Sequence, residues 1–162
     1  MQVRILVISD SHNYVLNSQI EKIKKHGNFD MLIHCGDKYK DAKIFASKLN
    51  ISRIVQVPGN CDYISDKPLV IKEIIEGKTF LITHGHLHNV KSDLNELILH
   101  AKEENVDAVL YGHTHCAQNE IIDNILIFNP GSSIMPKCGD ESFGILNVSS
   151  EKIDSEIISL EK

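Results

Sequence analysis

The stretch "VRILVISDSH", residues 3–12, decides the fold of this chain of 162 residues. Apart from Arg4, its first six residues are apolar, and such a run is typical of a strand buried on both faces in a parallel sheet. The apolar run stops at Ser9, and Asp10 and His12 follow at once. The sequence therefore predicts a buried strand whose carboxyl end carries polar side chains.

Two further apolar segments in the first half, "MLIHC" (31–35) and "RIVQV" (53–57), also indicate strands. The stretches between the three strands are amphipathic and predict helices. Right-handed crossovers in this β-α-β-α-β order would lay both helices on the sheet. The apolar residues at helical spacing are Leu16, Ile20 and Ile23 in the first helix, and Ala42, Phe45, Ala46 and Leu49 in the second.

The second half is richer in strands. Residues 69–75 and 79–83 predict a hairpin around Gly77-Lys78, and a third helix follows with Ser92 or Asp93 as its cap. Further strands are expected at residues 107–111, 119–123, 125–129, 143–149 and 154–160. This order predicts a single α/β domain over residues 1–162, with two packed sheets and helices outside them.

Composition excludes several classes of protein. The formal net charge of −5 and the lack of a Lys/Arg-rich run argue against binding of long nucleic acid. With no run of 18 apolar residues and no signal-peptide pattern, we expect a cytoplasmic protein that does not enter a membrane. The uneven spacing of the cysteines favours free thiols in a reducing compartment over a disulfide framework. They are Cys35, Cys61, Cys116 and Cys138.

A polar cluster directly follows each of five predicted strands. In an open α/β sheet, the loops that leave the carboxyl ends of parallel strands converge on one edge, where such folds place their sites. Convergence would therefore join five short motifs into one site. The clusters are Asp10-Ser11-His12, Gly36-Asp37, Gly59-Asn60-Cys61-Asp62, His84-Gly85-His86 and Gly112-His113-Thr114-His115.

The residue types in these clusters are those of a metal site. Carboxylate, imidazole and amide donors suit borderline divalent ions such as manganese, iron, cobalt, nickel or zinc. Seven such ligands are too many for one ion that keeps an open position, whereas two ions with one shared carboxylate account for them. The seven are Asp10, His12, Asp37, Asn60, His84, His113 and His115.

The ordered motifs D-x-H, G-D, G-N-x-D, H-G-H and G-H-x-H, between Asp10 and His115, resemble those of the calcineurin-like metallophosphoesterases. The short chain and the GNCD, HGH and "NPGS" (129–132) elements are most similar to the small YfcE-like phosphodiesterase branch, which also contains the retromer small subunit. The resemblance implies a four-layer α/β/β/α sandwich and a dinuclear centre, with manganese as the favoured ion. It implies that Asp10, His12 and His115 hold one ion, that Asn60, His84 and His113 hold the other, and that Asp37 bridges them.

The function implied by the resemblance is hydrolysis of a small phosphodiester by a metal-bound hydroxide. Two dications, less Asp10, Asp37 and one hydroxide, carry a formal charge of about +1, which favours a singly charged diester. One alternative is a phosphomonoesterase or nuclease on the same centre. Another is a metal-binding scaffold that holds partner proteins and is not catalytic. Self-association is also possible, since relatives often form oligomers.

We assign catalytic roles to Asp37, Asn60, Cys61 and His86. Many relatives carry histidine in place of Cys61, where it protonates or steadies the leaving oxygen. A thiol is pulled toward thiolate beside a dication and then cannot donate a proton. We therefore expect a centre without its usual general acid, unless Cys61 only fills a small pocket.

Other polar residues near the motifs leave alternatives open. His86 either contacts the substrate phosphate or supports a ligand. Asp62 fixes either a ligand histidine or its own turn. The NPGS element is either a simple turn or a contact beside the site. No role is assigned to His26, His34, His88 or His100.

Overall fold

A computed structural model of the chain describes residues 1–62 and 66–161. They form two five-stranded sheets packed face to face, with two helices outside the first sheet and one outside the second. The predicted four-layer α/β/β/α sandwich is therefore confirmed. The helices are α1 (Asn17–Lys24), α2 (Asp41–Leu49) and α3 (Asn95–Glu103). The strands are β1 (Val3–Ile8), β2 (Met31–His34), β3 (Arg53–Gln56), β4 (Val70–Ile75), β5 (Lys78–Thr83), β6 (Ala108–Leu110), β7 (Gln118–Ile122), β8 (Ile125–Asn129), β9 (Ser142–Val148) and β10 (Ile153–Ser159).

The first sheet is centred on β1, in the strand order β10-β9-β1-β2-β3. β1 pairs in parallel with β2 and antiparallel with β9, so both of its edges are hydrogen-bonded. From Ile5 to Ile8 its side chains have no solvent exposure, because they pack alternately against the other sheet and against the helices. The predicted strand buried on both faces is therefore confirmed.

The second sheet has the strand order β4-β5-β6-β8-β7, in which β5, β6 and β8 run parallel. Its two edge strands, β4 and β7, pair antiparallel with β5 and β8 in hairpins. Each hairpin turns on two residues with positive φ, Glu76-Gly77 in one and Asp123-Asn124 in the other, as two-residue turns of type I′ require. The first turn therefore lies one residue earlier than predicted.

Three apolar clusters hold the four layers together. The largest lies between the sheets and includes Val7 and Ile33 from one sheet and Phe80 and Phe128 from the other. A second cluster packs α1 and α2 on the first sheet, and a third packs α3 on the second sheet. Burial of apolar side chains on both faces of each sheet fixes how the sheets lie relative to each other.

Two local predictions are wrong. Helix α3 begins at Asn95 with Leu94 in the capping position, although the predicted cap Asp93 does accept the Asn95 N–H (3.0 Å). Cys116 and Cys138 form a disulfide, whereas only Cys35 and Cys61 are free. The β7–β8 hairpin returns the chain so that these two residues pair across an isolated parallel bridge. Because the two cysteines are far apart in sequence, their spacing alone does not predict this disulfide.

Among the residues that the structure describes, no helix is both long enough and apolar enough to span a lipid bilayer.

His34, at the end of β2, lies in a fully buried polar network. The Gly36 N–H donates to His34 Nδ1 (3.1 Å), so this nitrogen is an acceptor and the ring is neutral. Its Nε2–H then donates to Ser11 Oγ (2.8 Å), and the Ser11 hydroxyl donates to Asp41 Oδ2 (2.6 Å). The network ties the loop after β1 to the start of α2. Burial, the largest cause, lowers the pKa of His34 from 6.5 to about 3.

The buried neutral His34 predicts a loss of stability in acid. Because the pKa of His34 is lower in the folded state, the unfolded chain takes up this proton first. The contribution of neutral His34 is therefore complete above pH 6.5 and is lost progressively as the pH falls toward about 3. Between about pH 7.5 and pH 5, the free energy of unfolding of the chelator-treated protein should fall more than that of His34→Gln, which cannot titrate. Urea unfolding of both proteins at each pH measures the difference, and a difference independent of pH would contradict this account of His34.

Candidate metal centre

Asp10 lies at the end of the central strand and is fully buried. Its Oδ2 accepts hydrogen bonds from Ser9 Oγ (2.8 Å) and from the His113 N–H (3.0 Å). Its Oδ1 is buried and has no hydrogen-bond partner within residues 1–62 and 66–161. That oxygen lies 3.3 Å from His115 Nε2 and 3.7 Å from His84 Nε2. A buried carboxylate oxygen without a hydrogen bond, facing two imidazole nitrogens, fits a cation.

Two groups of donor atoms meet at this end of the sandwich. Each group contains atoms that all lie within 4.8 Å of one another. In the first group, His12 Nε2 lies 3.3 Å from His115 Nε2. The first group is Asp10, His12, Asp37 and His115, and the second is Asp37, His84 and His113.

Asp37 belongs to both groups. Its Oδ2 lies 3.2 Å from His84 Nε2 in the second group and 3.9 Å from His12 Nε2 in the first. Its Oδ1 accepts the Cys61 N–H (2.9 Å), which holds the carboxylate in this position. A carboxylate common to two donor groups is the arrangement expected of a ligand that bridges two ions.

Asn60 lies beside the second group. Its Oδ1 is 3.1 Å from His84 Nε2, and His113 Nδ1 is 3.2 Å from the same nitrogen. The structure thus brings together all seven ligands proposed from the sequence. Oxygen and imidazole donors in this number suit borderline divalent ions.

Backbone carbonyl groups orient two of the histidines. His84 Nδ1 donates to Cys35 O (2.7 Å), and His115 Nδ1 donates to Met135 O (2.6 Å). Because a carbonyl oxygen only accepts, each Nδ1 carries a proton, and Nε2 is the nitrogen that would bind an ion once the ring is neutral. The sequence does not predict these carbonyl groups, since any residue type could supply them.

The backbone of the site is strained where the ligands project. Five of the ligand residues have a positive φ angle, which residues other than glycine rarely adopt. Such angles are often found at functional sites. Two glycines make room for the carboxylates. A Cβ on Gly59 would collide with Asp37 Oδ1, and a Cβ on Gly112 would lie 2.7 Å from Asp10 Oδ2. The five strained ligands are Asp10, His12, Asp37, His113 and His115.

The charged groups of the site alter one another's ionisation. Burial opposes ionisation of Asp37, but the hydrogen bond and charge of His84 outweigh it and hold the pKa of Asp37 below its usual value. Burial would lower the pKa of His84, but Asp37 and Asp10 together raise it. Burial lowers the pKa of His113 to about 4. The carboxylate of Asp37 therefore remains ionised, as a metal ligand must be.

Asp62 and the NPGS element support the ligand loops. Asp62 Oδ2 accepts the backbone N–H groups of Gly59 (2.8 Å), Asp37 (3.0 Å) and Tyr39 (3.3 Å), so it fixes the turn. The NPGS element follows β8, and its Ser132 Oγ donates to Asp10 O (2.8 Å). Parallel strand β8 thus adds a sixth loop to the five predicted ones. The NPGS element thus makes a contact beside the site, which is one of the two alternatives left open from the sequence.

His86 and Cys61 flank the donor groups without belonging to them. The His86 ring lies 5.5 Å from the ring of His84, and its buried Nδ1 has no hydrogen-bond partner in the part of the chain that the structure describes. Cys61 is half-buried, and partial burial followed by the charge of Asp37 raises the pKa of its thiol.

The four histidines without an assigned role lie outside both donor groups. His34 belongs to the buried network, and His26 packs edge-on against Phe143. His88 Nε2 lies 2.8 Å from His100 Nδ1 in a separate pair. Each of the four therefore has a structural contact of its own.

Comparison with known proteins agrees with this geometry. Residues 3–151 match the calcineurin-like phosphoesterase superfamily domain. The probable metallophosphoesterase YsnB of Bacillus subtilis is 33% identical over 152 residues, which are 92% of this chain and 86% of that protein. Phosphodiesterase YfcE of Escherichia coli K12 is 34% identical over 120 residues, which are 67% of this chain and 61% of that protein.

A solved structure shows the same fold. The crystal structure of Vps29 from Entamoeba histolytica in complex with zinc superposes with a TM-score of 0.77 at 19% identity. The match covers 98% of this chain and 99% of that one. The family match over residues 3–151 spans the central strand and all seven candidate ligands. By that match and the identity with YsnB, the chain belongs to the calcineurin-like phosphoesterase superfamily.

Proposed function

We propose that this protein is a dinuclear metal-dependent phosphodiesterase that hydrolyses small phosphodiesters. The observation that carries the proposal is the position of Asp37, whose carboxylate belongs to two donor groups. One ion would be held by Asp10, His12 and His115, and the other by Asn60, His84 and His113. Asp37 would bind both. Manganese is the ion we expect, and nickel, cobalt, iron and zinc suit the same donors.

When bound, two such ions activate water as the nucleophile and stabilise negative charge on the phosphoryl oxygens. The side chains of the protein would hold the ions and the substrate in place. Asp37 would bind both ions and Asn60 would bind one of them. His86 stands at the edge of the second donor group with a buried nitrogen free of hydrogen bonds among the described residues. We assign it a contact with a phosphate oxygen of the substrate.

Charge favours a diester as substrate. Asp10 and Asp37 are the two carboxylates among the ligands, and with one hydroxide they would leave a formal charge of about +1 on a centre with two dications. A singly charged diester matches this charge better than a doubly charged monoester. YfcE carries the name phosphodiesterase, which supports the same class. The net charge of −5 disfavours long nucleic acid.

A metal-binding scaffold is the second candidate, and the fold shared with Vps29 is what favours it. In a scaffold that binds metal only for structure, the ligands would be satisfied but no substrate would turn over. A phosphomonoesterase on the same centre would differ only in its preference between esters. The cytoplasmic location and self-association expected from the sequence stay predictions.

Hydrolysis of an aryl phosphodiester tests the proposal. Metal-stripped protein should regain activity when manganese is added back, and its kcat/KM for the diester should exceed that for the aryl monoester. Nickel, cobalt, zinc and magnesium, each added alone, would rank the usable ions. His100→Ala, which changes a histidine outside both donor groups, serves as the control and should behave as the original protein does. Binding of two ions with no turnover of either ester would instead favour the scaffold.

Metal content tests the bridging role of Asp37. Asp37→Ala should weaken both sites, because it removes a ligand from each donor group. His115→Ala should weaken only the first. We expect equilibrium dialysis with elemental analysis to find two ions in the original protein, one in His115→Ala and fewer than two in Asp37→Ala. Two tightly held ions in a folded Asp37→Ala protein would remove Asp37 from the bridge.

Replacing Cys61 tests whether the site lacks a general acid. A general acid works best with a pKa near the working pH, and imidazole meets this condition better than a thiol does. Cys61→His should therefore raise turnover of diesters with poor leaving groups, by up to about 10²-fold, and change aryl diester turnover little. Cys61→Ser controls for the loss of the thiol. Equal rates for Cys61→His and the original protein on an alkyl diester would show that Cys61 only packs.

A further inference from the structure

A disulfide joins His115 to the loop that orients it. Cys116 directly follows His115, and its disulfide partner Cys138 lies three residues after Met135, whose carbonyl accepts the His115 Nδ1–H. Cys116 is half-buried and Cys138 is exposed, so the bond can be reached from solvent. The disulfide therefore lies outside the donor groups, one residue from a candidate ligand.

Residues 133–141 form a loop whose ends meet, because the Ser142 N–H donates to Ser132 O (3.1 Å). The first half of the loop is fixed by Ser132 Oγ, which accepts the N–H groups of Ile134 (3.2 Å) and Met135 (2.8 Å). The second half, residues 137–140, is exposed. Residues 137–140 are held by Ser159 Oγ, which donates to Asp140 Oδ2 (2.8 Å), and by links to His115 and Cys116.

Two hydrogen bonds and the disulfide join the loop of residues 133–141 to His115 and Cys116 in the described part of the chain. His115 Nδ1 donates to Met135 O (2.6 Å), and the Lys137 N–H donates to His115 O (3.0 Å). The third link is the Cys116–Cys138 bond. A covalent bond between these segments limits their separation, and so it keeps the Met135 carbonyl in reach of His115.

No disulfide holds the carbonyl group that orients His84, the other histidine with a backbone partner. His84 Nδ1 donates to Cys35 O, and Cys35 is fully buried directly after β2. The Cys35 carbonyl is held by the sheet, whereas the Met135 carbonyl is held by a loop. Loss of the disulfide should therefore affect the ligand of one ion and leave the ligand of the other in place.

We propose that the Cys116–Cys138 disulfide is a positioning element for His115, and that its reduction by a dithiol weakens the first metal site selectively. In that reaction the Cys116–Cys138 bond breaks and the dithiol is oxidised to its own disulfide. Two electrons and two protons pass to the protein as the thiols of Cys116 and Cys138. The inference rests on the proposed dinuclear centre.

The expected size of the effect follows from the role of the carbonyl. A partner that orients a ligating imidazole typically changes metal affinity by about 10- to 100-fold. With the loop released, the His115 ring can turn or shift its proton to Nε2, and either change removes the lone pair from the ion. The affinity of the first site should fall by about this factor, while that of the second should not change.

Calorimetric titration with Mn²⁺ tests this inference. Oxidised protein, and protein reduced with a dithiol and then desalted without oxygen, are titrated side by side. Alkylation and mass spectrometry count the thiols and confirm each state. We expect two binding events in the oxidised protein, and after reduction we expect one of them to weaken about 10- to 100-fold.

Two variants sharpen the test. The double variant Cys116→Ser, Cys138→Ser should match the reduced protein with or without dithiol. His115→Ala should lack the redox-sensitive event and keep the insensitive one. Unchanged affinity at both sites after reduction, or equal weakening of both, would overturn the inference. If oxidised protein does not bind two ions, the dinuclear centre itself fails, and this outcome is distinct from the others.

Discussion

The carboxylate of Asp37 stands between two groups of metal-ligating side chains, and the rest of the site depends on holding it there. Burial would favour its protonated form, but the charge and hydrogen bond of His84 keep it ionised. The Cys61 N–H fixes one of its oxygens, Asp62 fixes its backbone, and Gly59 leaves the space that it occupies. Gly59, Cys61 and Asp62 lie in the loop after β3 of the first sheet, whereas His84 follows β5 of the second sheet.

The two sheets divide the ligands between them. The first sheet supplies Asp10, His12, Asp37 and Asn60, and the second sheet supplies the remaining three histidines. The centre therefore forms only when the sheets are packed. The apolar cluster between the sheets thus also holds the two sets of ligands together. The fold tolerates the strained φ angles of the ligands because strand ends flank these residues. The preorganisation of the ligands thus comes from the sandwich as a whole.

The sequence predicts the sandwich and the ligand set because both have side-chain signatures. Long apolar runs mark the strands, and polar residues directly after them mark the site. The carbonyl groups of Cys35 and Met135 have no such signature, since their side chains do not take part. The Cys116–Cys138 bond depends on how the β7–β8 hairpin returns the chain, which spacing alone does not reveal. The α3 boundary was missed because Leu94, an apolar residue, stands where a polar cap was expected.

Anomalous diffraction from crystals of the manganese-loaded protein tests the central claim most directly. Data collected at the manganese absorption edge locate each ion without reference to activity. We expect two peaks, one among Asp10, His12 and His115 and one among Asn60, His84 and His113, with Asp37 between them and about 3.5 to 4 Å separating the peaks. A single peak at full occupancy, or two peaks of which only one contacts Asp37, would contradict a dinuclear centre built on this carboxylate.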